Sequence, residues 1–272
     1  MDISNLNKRQ IADYLKQEQR LDGRDLLDYR DIKIETGISV NAEGTSRVRI
    51  GKTEVIVGVK MDTQEPYPDH DDEGTMMVGM EFSPIAGKRY ENGPPGIDSI
   101  EVARIVDRGI RESGFIDWKK LCIKEGEKVW SIFIDIYAIN DDGNILDASA
   151  IAAIAALKVA KFPVYDEKKE KVEFGKFTDE PLPLTDKIPF TMTFHKIGDK
   201  MFVDPNREEE DTSEGRLTVA ISQPGKEKMI NAMQKGSFEP ITIEELEQTI
   251  KSAEKVYDNI FPKLLKQIEK LK

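Results

Sequence analysis

The stretch GEKVWSIFIDIYAINDDGNILDAS, residues 126–149, decides the fold class. Trp130, Ile132, Ile134 and Ile136 fall on one side of an extended chain, and Phe133, Tyr137 and Ile139 on the other. An apolar run of period two with both sides apolar reads as a strand buried on both faces, central in its sheet. Asn140, Asp141, Asp142 and Gly143 then turn the chain. From about Asp147 to Lys161 the residues are apolar nearly all round, so the helix expected there also belongs to the core.

Towards the N-terminus, a helix is expected from Ser99 to Ser113, with Asp98 and Glu101 as a capping-box-like start and Gly114 as its stop. Ile100, Ala103, Val106 and Ile110 would be its buried stripe, interrupted by Asp107. The run MMVGMEFSPI precedes it as a strand. From Ile32, DIKIETGISV, SRVRI and TEVIVGVKM alternate with period two, broken by Asn41 to Gly44 and by Gly51-Lys52, which predicts a strand meander. Gly51-Lys52-Thr53 resembles the end of a P-loop, but Ser46 stands where that motif needs glycine, so a hairpin turn is expected. Residues 4 to 19 read as a helix and Arg20 to Arg30 as a turn-rich segment around Asp22-Gly23.

Towards the C-terminus, residues 163–189 are polar and proline-bearing, as an exposed hairpin or loop would be. PFTMTFHKIG and KMFVD predict a hairpin, GRLTVAIS a strand, and residues 226 to 235 a short helix. Thr242 with Glu245 caps a long final helix whose Leu246, Ile250, Ala253, Tyr257, Ile260, Leu264, Ile268 and Leu271 share a face, with a kink at Pro262. The class is α+β, with strand and helix units that repeat loosely.

Composition narrows the function. The chain has 272 residues, 39% of them hydrophobic and 33% charged, enough for one large core or two small ones. It lacks 18 consecutive apolar residues and an apolar signal segment near Met1, so a cytoplasmic protein is expected, without membrane contact. Cys122, the single cysteine, reads as a small buried side chain on a short strand. Two histidines, His70 and His195, are too few to favour a zinc centre or a Ser/His/Asp arrangement. The acidic run of residues 62–74, with Asp69 to Glu73, lacks calcium-loop spacing and reads as a solvated loop, so neither metal nor cofactor is expected. A net charge of −11 argues against binding nucleic acid over the whole surface, so any such contact must be local.

Arg104, Arg108 and Arg111 stand four and three apart on the helix of residues 99–113 and share a face. That pattern fits either a solvated surface paired with Glu101 and Glu112 or a phosphate-binding stripe, for which guanidinium groups are suited.

Four stretches, in order, carry a family resemblance that covers nearly the whole chain. Arg20-Leu21-Asp22-Gly23-Arg24 resembles the opening motif of the RNase PH family. The stretch Glu101 to Glu112, the deciding run, and FVDPNREEEDTSEGRLTVAIS are similar to the ring subunits of the archaeal exosome in that family. The resemblance implies an RNase PH-type two-layer fold with duplicated strand-helix units, mixed sheets and a long C-terminal helix. It implies a single domain over 1–272, with halves of about 20–162 and 163–272.

Active members of this family use inorganic phosphate to cleave the 3′-terminal linkage of RNA, and three departures here imply a silent subunit. Where active relatives place a glycine- and hydroxyl-rich phosphate turn, this chain has Gly143 to Asp147, and Asp147 would cap the helix and repel phosphate. Of the paired acids that active relatives carry, Glu214 occupies the first position and Arg216 the second. Gly96 and Ile97 stand where active relatives carry arginines. Glu208 to Asp211 read as a solvated turn between strands. The expectation is therefore no catalytic residue, with Arg104, Arg108 and Arg111 binding RNA beside the active site of a catalytic RNase-PH-like subunit. That subunit would be the partner in a hexameric ring of three heterodimers, under RNA-binding cap subunits. The alternative is a phosphorolytic 3′ to 5′ exoribonuclease in its own right, using Glu214 or Asp211 in an atypical site.

Overall fold

The computed structural model describes residues 4–237 and 239–270. The deciding stretch forms β6 (Lys128–Asn140), which pairs antiparallel with β3 (Thr53–Gln64) and parallel with β4 (Thr75–Phe82). β1 (Ile32–Thr36) and β2 (Gly44–Ile50) complete the expected meander in the order β1-β2-β3-β6-β4, and β5 (Cys122–Lys124) pairs the start of β6. The face of β6 bearing Ile132, Ile134 and Ile136 is fully buried. The other face departs from expectation: it is closed at Val129 and Ser131 but opens to solvent at Asp135 and Tyr137, where the sheet is covered on one side only. Cys122 is half-buried rather than buried, as an edge position allows.

α3 (Ile145–Val159) lies on β2 and β3. Ala148, Ala152, Ala153, Ala155 and Ala156 are all buried, and their small side chains let the helix axis approach the sheet closely. At the closest point, a Cβ on Gly44 would overlap the carbonyl oxygen of Ala156. Ser46 Oγ donates to the Ala152 carbonyl at 2.6 Å.

α2 (Ile97–Ser113) ends as expected at Gly114, whose φ of 66° is left-handed. Its start differs: Gly96 is the N-cap and has no side chain to cap with, Asp98 falls inside the first turn, and the Glu101 carboxylate pairs with Arg216. Val102, Ala103, Ile105, Val106 and Ile110 form the buried face, whereas Ile100 lies 51% exposed at its margin.

The second sheet has the order β10-β9-β11-β12, from β9 (Phe190–Ile197), β10 (Lys200–Val203), β11 (Gly215–Ser222) and β12 (Met229–Gly236). β12 corrects the short helix expected over 226–235. Its Lys, Met, Ala and Gln favour helix locally, but the turn at Pro224-Gly225 returns the segment along β11, and the ladder Arg216↔Gly236 to Ser222↔Met229 overrides that propensity. α2 and α3 pack against both sheets, and one apolar cluster runs through all these layers.

α5 (Ile243–Glu269) starts at a capping box of Thr242 and Glu245 and runs as one helix through Pro262. It buries Ala253, Val256, Tyr257, Leu264 and Ile268, while Leu271 lies outside the described residues. β7 (Lys161–Asp166) and β8 (Lys171–Pro181) form the hairpin expected between the halves. α1 (Asn5–Lys16) buries Ile11 and Leu15 against Ile197 and Phe202.

The turn-rich segment from Arg20 to Arg30 proves to be a clamp. Arg20 donates to Glu209 and to the carbonyls of Val203 and Asp204, Arg24 and Arg30 both donate to the Asp204 carboxylate, and Asn144 adds a further donor at 2.8 Å. Burial works against the Asp204 charge, yet the Arg30 hydrogen bond and charge hold its carboxyl below the usual range. Glu209 belongs to α4 (Arg207–Thr212), a short helix capped by Asn206, so the run Glu208 to Asp211 is not the solvated turn expected.

Candidate nucleic-acid interface

The structure places all three sequence-chosen arginines on the outer side of α2 but divides them. The Arg111 guanidinium is held by both carboxylate oxygens of Asp107, at 2.7 and 3.1 Å, donates to the Met76 carbonyl at 3.0 Å and lies 5.6 Å from the centre of the Trp118 ring. The Asp107 hydrogen bond pushes its pKa above the usual value. Arg104 and Arg108 have no hydrogen bond or ion pair within the described residues. Both border a groove of about 380 Å³ between α2 and β4, floored by Val78, Gly79, Met80 and Ala103. Two guanidinium groups one turn apart, solvated and uncommitted, are ready to bind phosphate, while the third is engaged by its own fold.

The opposite flank of α2 borders a cleft of about 280 Å³, lined among others by Tyr90, Glu101, Asp141, His195, Arg207, Glu210 and Arg216. Here the resemblance requires a phosphate turn and an acid pair in an active subunit. The backbone amides of the turn at residues 142–144 are already taken: Gly143 N donates to Asp141 Oδ1 and Asn144 N to Glu210 Oε2, both at 3.0 Å, and Asp142 N donates to Thr53 Oγ1 at 3.2 Å. The arginines are taken as well. Arg207 contacts Asp141, Glu210 and Asp211 at 2.9, 3.4 and 2.6 Å, Arg89 contacts Asp211 at 2.7 Å, and Arg216 pairs with Glu101. Burial raises the Glu210 carboxyl against the lowering by Arg207; burial also opposes Asp211, but Arg89 and Arg207 hold it below the usual range. A phosphate bound by the Gly143 or Asn144 amide, or by Arg89 or Arg207, would have to displace a carboxylate from that donor.

Asp147 neither caps α3 nor faces that cleft. Its carboxylate is fully buried and accepts from Tyr29 Oη at 2.7 Å, Thr193 Oγ1 at 2.7 Å and Thr193 N at 3.2 Å. Burial lifts its pKa to about 6 in spite of those donors. It ties α3 to β9 and to the segment before β1. Glu214 accepts from Gly198 N at 2.9 Å.

Sequence reasoning missed three features of this region. His195 is buried in the cleft wall with no hydrogen-bond partner for either ring nitrogen among the described residues, and burial followed by Arg216 and Arg207 holds its pKa down at about 3, so the ring is neutral. The pairs Arg207–Asp141 and Arg216–Glu101 join residues far apart in sequence. The helical start at Asn206 does have a local signal, because Asn206 followed by Glu209 is a capping-box spacing. Among the described residues no group of three or more His, Cys, Asp or Glu is arranged to hold a metal ion.

Comparison with known proteins accounts for the whole architecture. The 3′ exoribonuclease family (RNase PH) matches residues 28–163 with its domain 1 and residues 187–256 with its domain 2. The exosome complex component Rrp42 of Methanosarcina acetivorans is 46% identical over 91% of this chain and 89% of its own length. Rrp42 of Methanothermobacter thermautotrophicus is 40% identical over 98% and 96%. Among solved structures, a chain of the Archaeoglobus fulgidus exosome with RNA bound to the active site has a TM-score of 0.82 at 39% identity, covering 91% of this chain and 93% of that one. A chain of an archaeal exosome core has a TM-score of 0.80 at 36% identity, covering 96% of both chains. Motifs, mixed sheets, a two-part match and full-length relatives converge: the chain belongs to the RNase PH family of 3′ exoribonucleases.

Proposed function

We propose that this chain is a ring subunit of an exosome that does not itself cleave RNA, and that it supplies RNA-binding arginines to an adjacent catalytic RNase-PH-like subunit. The relatives named as exosome components support membership of that complex. The single observation behind the silent role is the cleft in which the Gly143 and Asn144 amides, Arg207 and Arg216 are all engaged by the chain's own carboxylates. Phosphorolysis must bring an inorganic phosphate against a phosphodiester, which requires free positive charge or free amides at one point. The acids of the alternative reading are engaged too, Asp211 by Arg89 and Arg207 and Glu214 by the Gly198 amide.

In this reading the free cations, Arg104 and Arg108, hold RNA phosphates at the boundary with the partner, and Arg111 adds charge to the same helix while anchoring it. The partner and this chain alternate as three heterodimers in a hexameric ring, with RNA-binding cap subunits above the pore. Halves of about 20–162 and 163–272 act as one domain, a reading supported by the apolar cluster common to both. We place the protein in the cytoplasm; among the described residues no helix is long and apolar enough to cross a membrane.

The test is the double variant Arg104→Glu with Arg108→Glu in the assembled complex. RNA binding and turnover should fall by about ten-fold or more while assembly is unchanged, since each reversal replaces a phosphate contact by a repulsion. Unchanged turnover in an intact variant complex would remove the RNA-binding role.

A further inference from the structure

The helix carrying Arg104 and Arg108 has a weakly held first turn, before Val102, Ala103 and Ile105 enter the core. Its N-cap is a glycine without a capping side chain, and Ile97 and Ile100 are 84% and 51% exposed at its start. Its C-terminal half is secured by Arg111, which joins Asp107 to the Met76 carbonyl on β4. In the first half a single ion pair plays the corresponding part. Glu101, three residues before Arg104, is paired with Arg216 of β11.

The path of the Arg216 side chain is built for this contact. Arg216 lies opposite Gly236 in the β11-β12 ladder, and a Cβ on Gly236 would overlap the guanidinium. With glycine there, the guanidinium lies across β12 and reaches α2. The side chain is 18% exposed and that of Glu101 31%, so the pair is shielded from water more than a surface salt bridge.

We propose that Arg216 is a positioning residue: through Glu101 it fixes the first half of α2 and thereby the register at which Arg104 and Arg108 meet RNA. This rests on the reading of Arg104 and Arg108 as RNA contacts, and the experiment separates the two.

The experiment uses the complex assembled with the catalytic RNase-PH-like partner, with poly(A) and inorganic phosphate as substrates. Arg216→Met and Glu101→Gln should each raise the KM for poly(A) by about five-fold, as loss of one shielded ion pair allows, with kcat and the KM for phosphate unchanged. The double variant should be no worse than either single one, and Arg216→Lys should recover most of the loss. Arg104→Ala with Arg108→Ala is run in parallel. If that variant raises the KM for poly(A) while Arg216→Met does not, the positioning role is overturned and RNA binding by the arginines stands. If neither raises it, both fall. A loss in Arg216→Met that appears equally in kcat and in the KM for phosphate, and that Arg216→Lys does not recover, also overturns the proposal, because it marks general damage to the fold.

Discussion

Arg104, Arg108 and Arg111 look alike along the sequence and differ in what surrounds them. Arg104 and Arg108 are uncommitted, so Arg104→Ala with Arg108→Ala should flatten the dependence of RNA affinity on salt by about 0.7 in the log-log slope for each RNA phosphate that is no longer neutralised. Arg111→Ala should instead destabilise the chain, because it frees Asp107 and the Met76 carbonyl and uncovers Trp118. Titration of RNA binding at several salt concentrations, with a melting curve for each variant, distinguishes the two effects. Asp147 provides a pH test. Its folded pKa of about 6 lies above the ordinary aspartate value of 3.8, so the folded state binds more protons than the unfolded one between those values. Its contribution to stability is therefore present at low pH and lost as pH rises from about 4 to about 6. Asp147→Asn removes that titration, so the stability of wild type relative to the variant should decline across this interval and then level off. Urea midpoints at closely spaced pH values would show it, and a constant difference would mean that the carboxyl titrates normally. Caps such as Thr242 with Glu245 and the stop at Gly114 are legible in the sequence because they are written within four residues. Arg20 and Glu209 are 189 residues apart, and nothing local in either one announces the other.

Elements are legible where a pattern persists. β6 alternates over thirteen residues and α3 is apolar nearly all round, so the sequence places both close to their true bounds. β12 is not legible, because its helix-forming composition carries no sign of the hairpin that makes it an edge strand, and α4 is hidden by its charge. The contact between α3 and β2 has a sharp requirement at Gly44, where an added methyl meets the helix backbone rather than a mobile side chain. Gly44→Ala should lower the melting temperature by about 5 °C, the effect of overpacking a rigid interface by about 2 kcal/mol. Calorimetry tests this, and an unchanged transition would mean that α3 can withdraw from the sheet at little cost.

At the scale of the whole molecule, acidic charge and RNA binding are compatible because the charge is arranged. Arg20, Arg24 and Arg30 are spent inside the fold on Asp204 and Glu209, the arginines of the cleft on Asp141, Glu101 and Asp211, and α2 keeps two free on its outer side. The net charge of −11 conceals this division, and only the fold shows that Arg104 and Arg108 stay unpaired among the described residues. In the proposed reading, the carboxylates that occupy the cleft leave the chemistry to a partner. The direct test is release of nucleoside diphosphate from poly(A) with phosphate and magnesium, by this chain alone, by its catalytic-type partner alone and by the two together. Activity confined to, or much greater in, the mixture is the predicted result; vigorous release by this chain alone would contradict it.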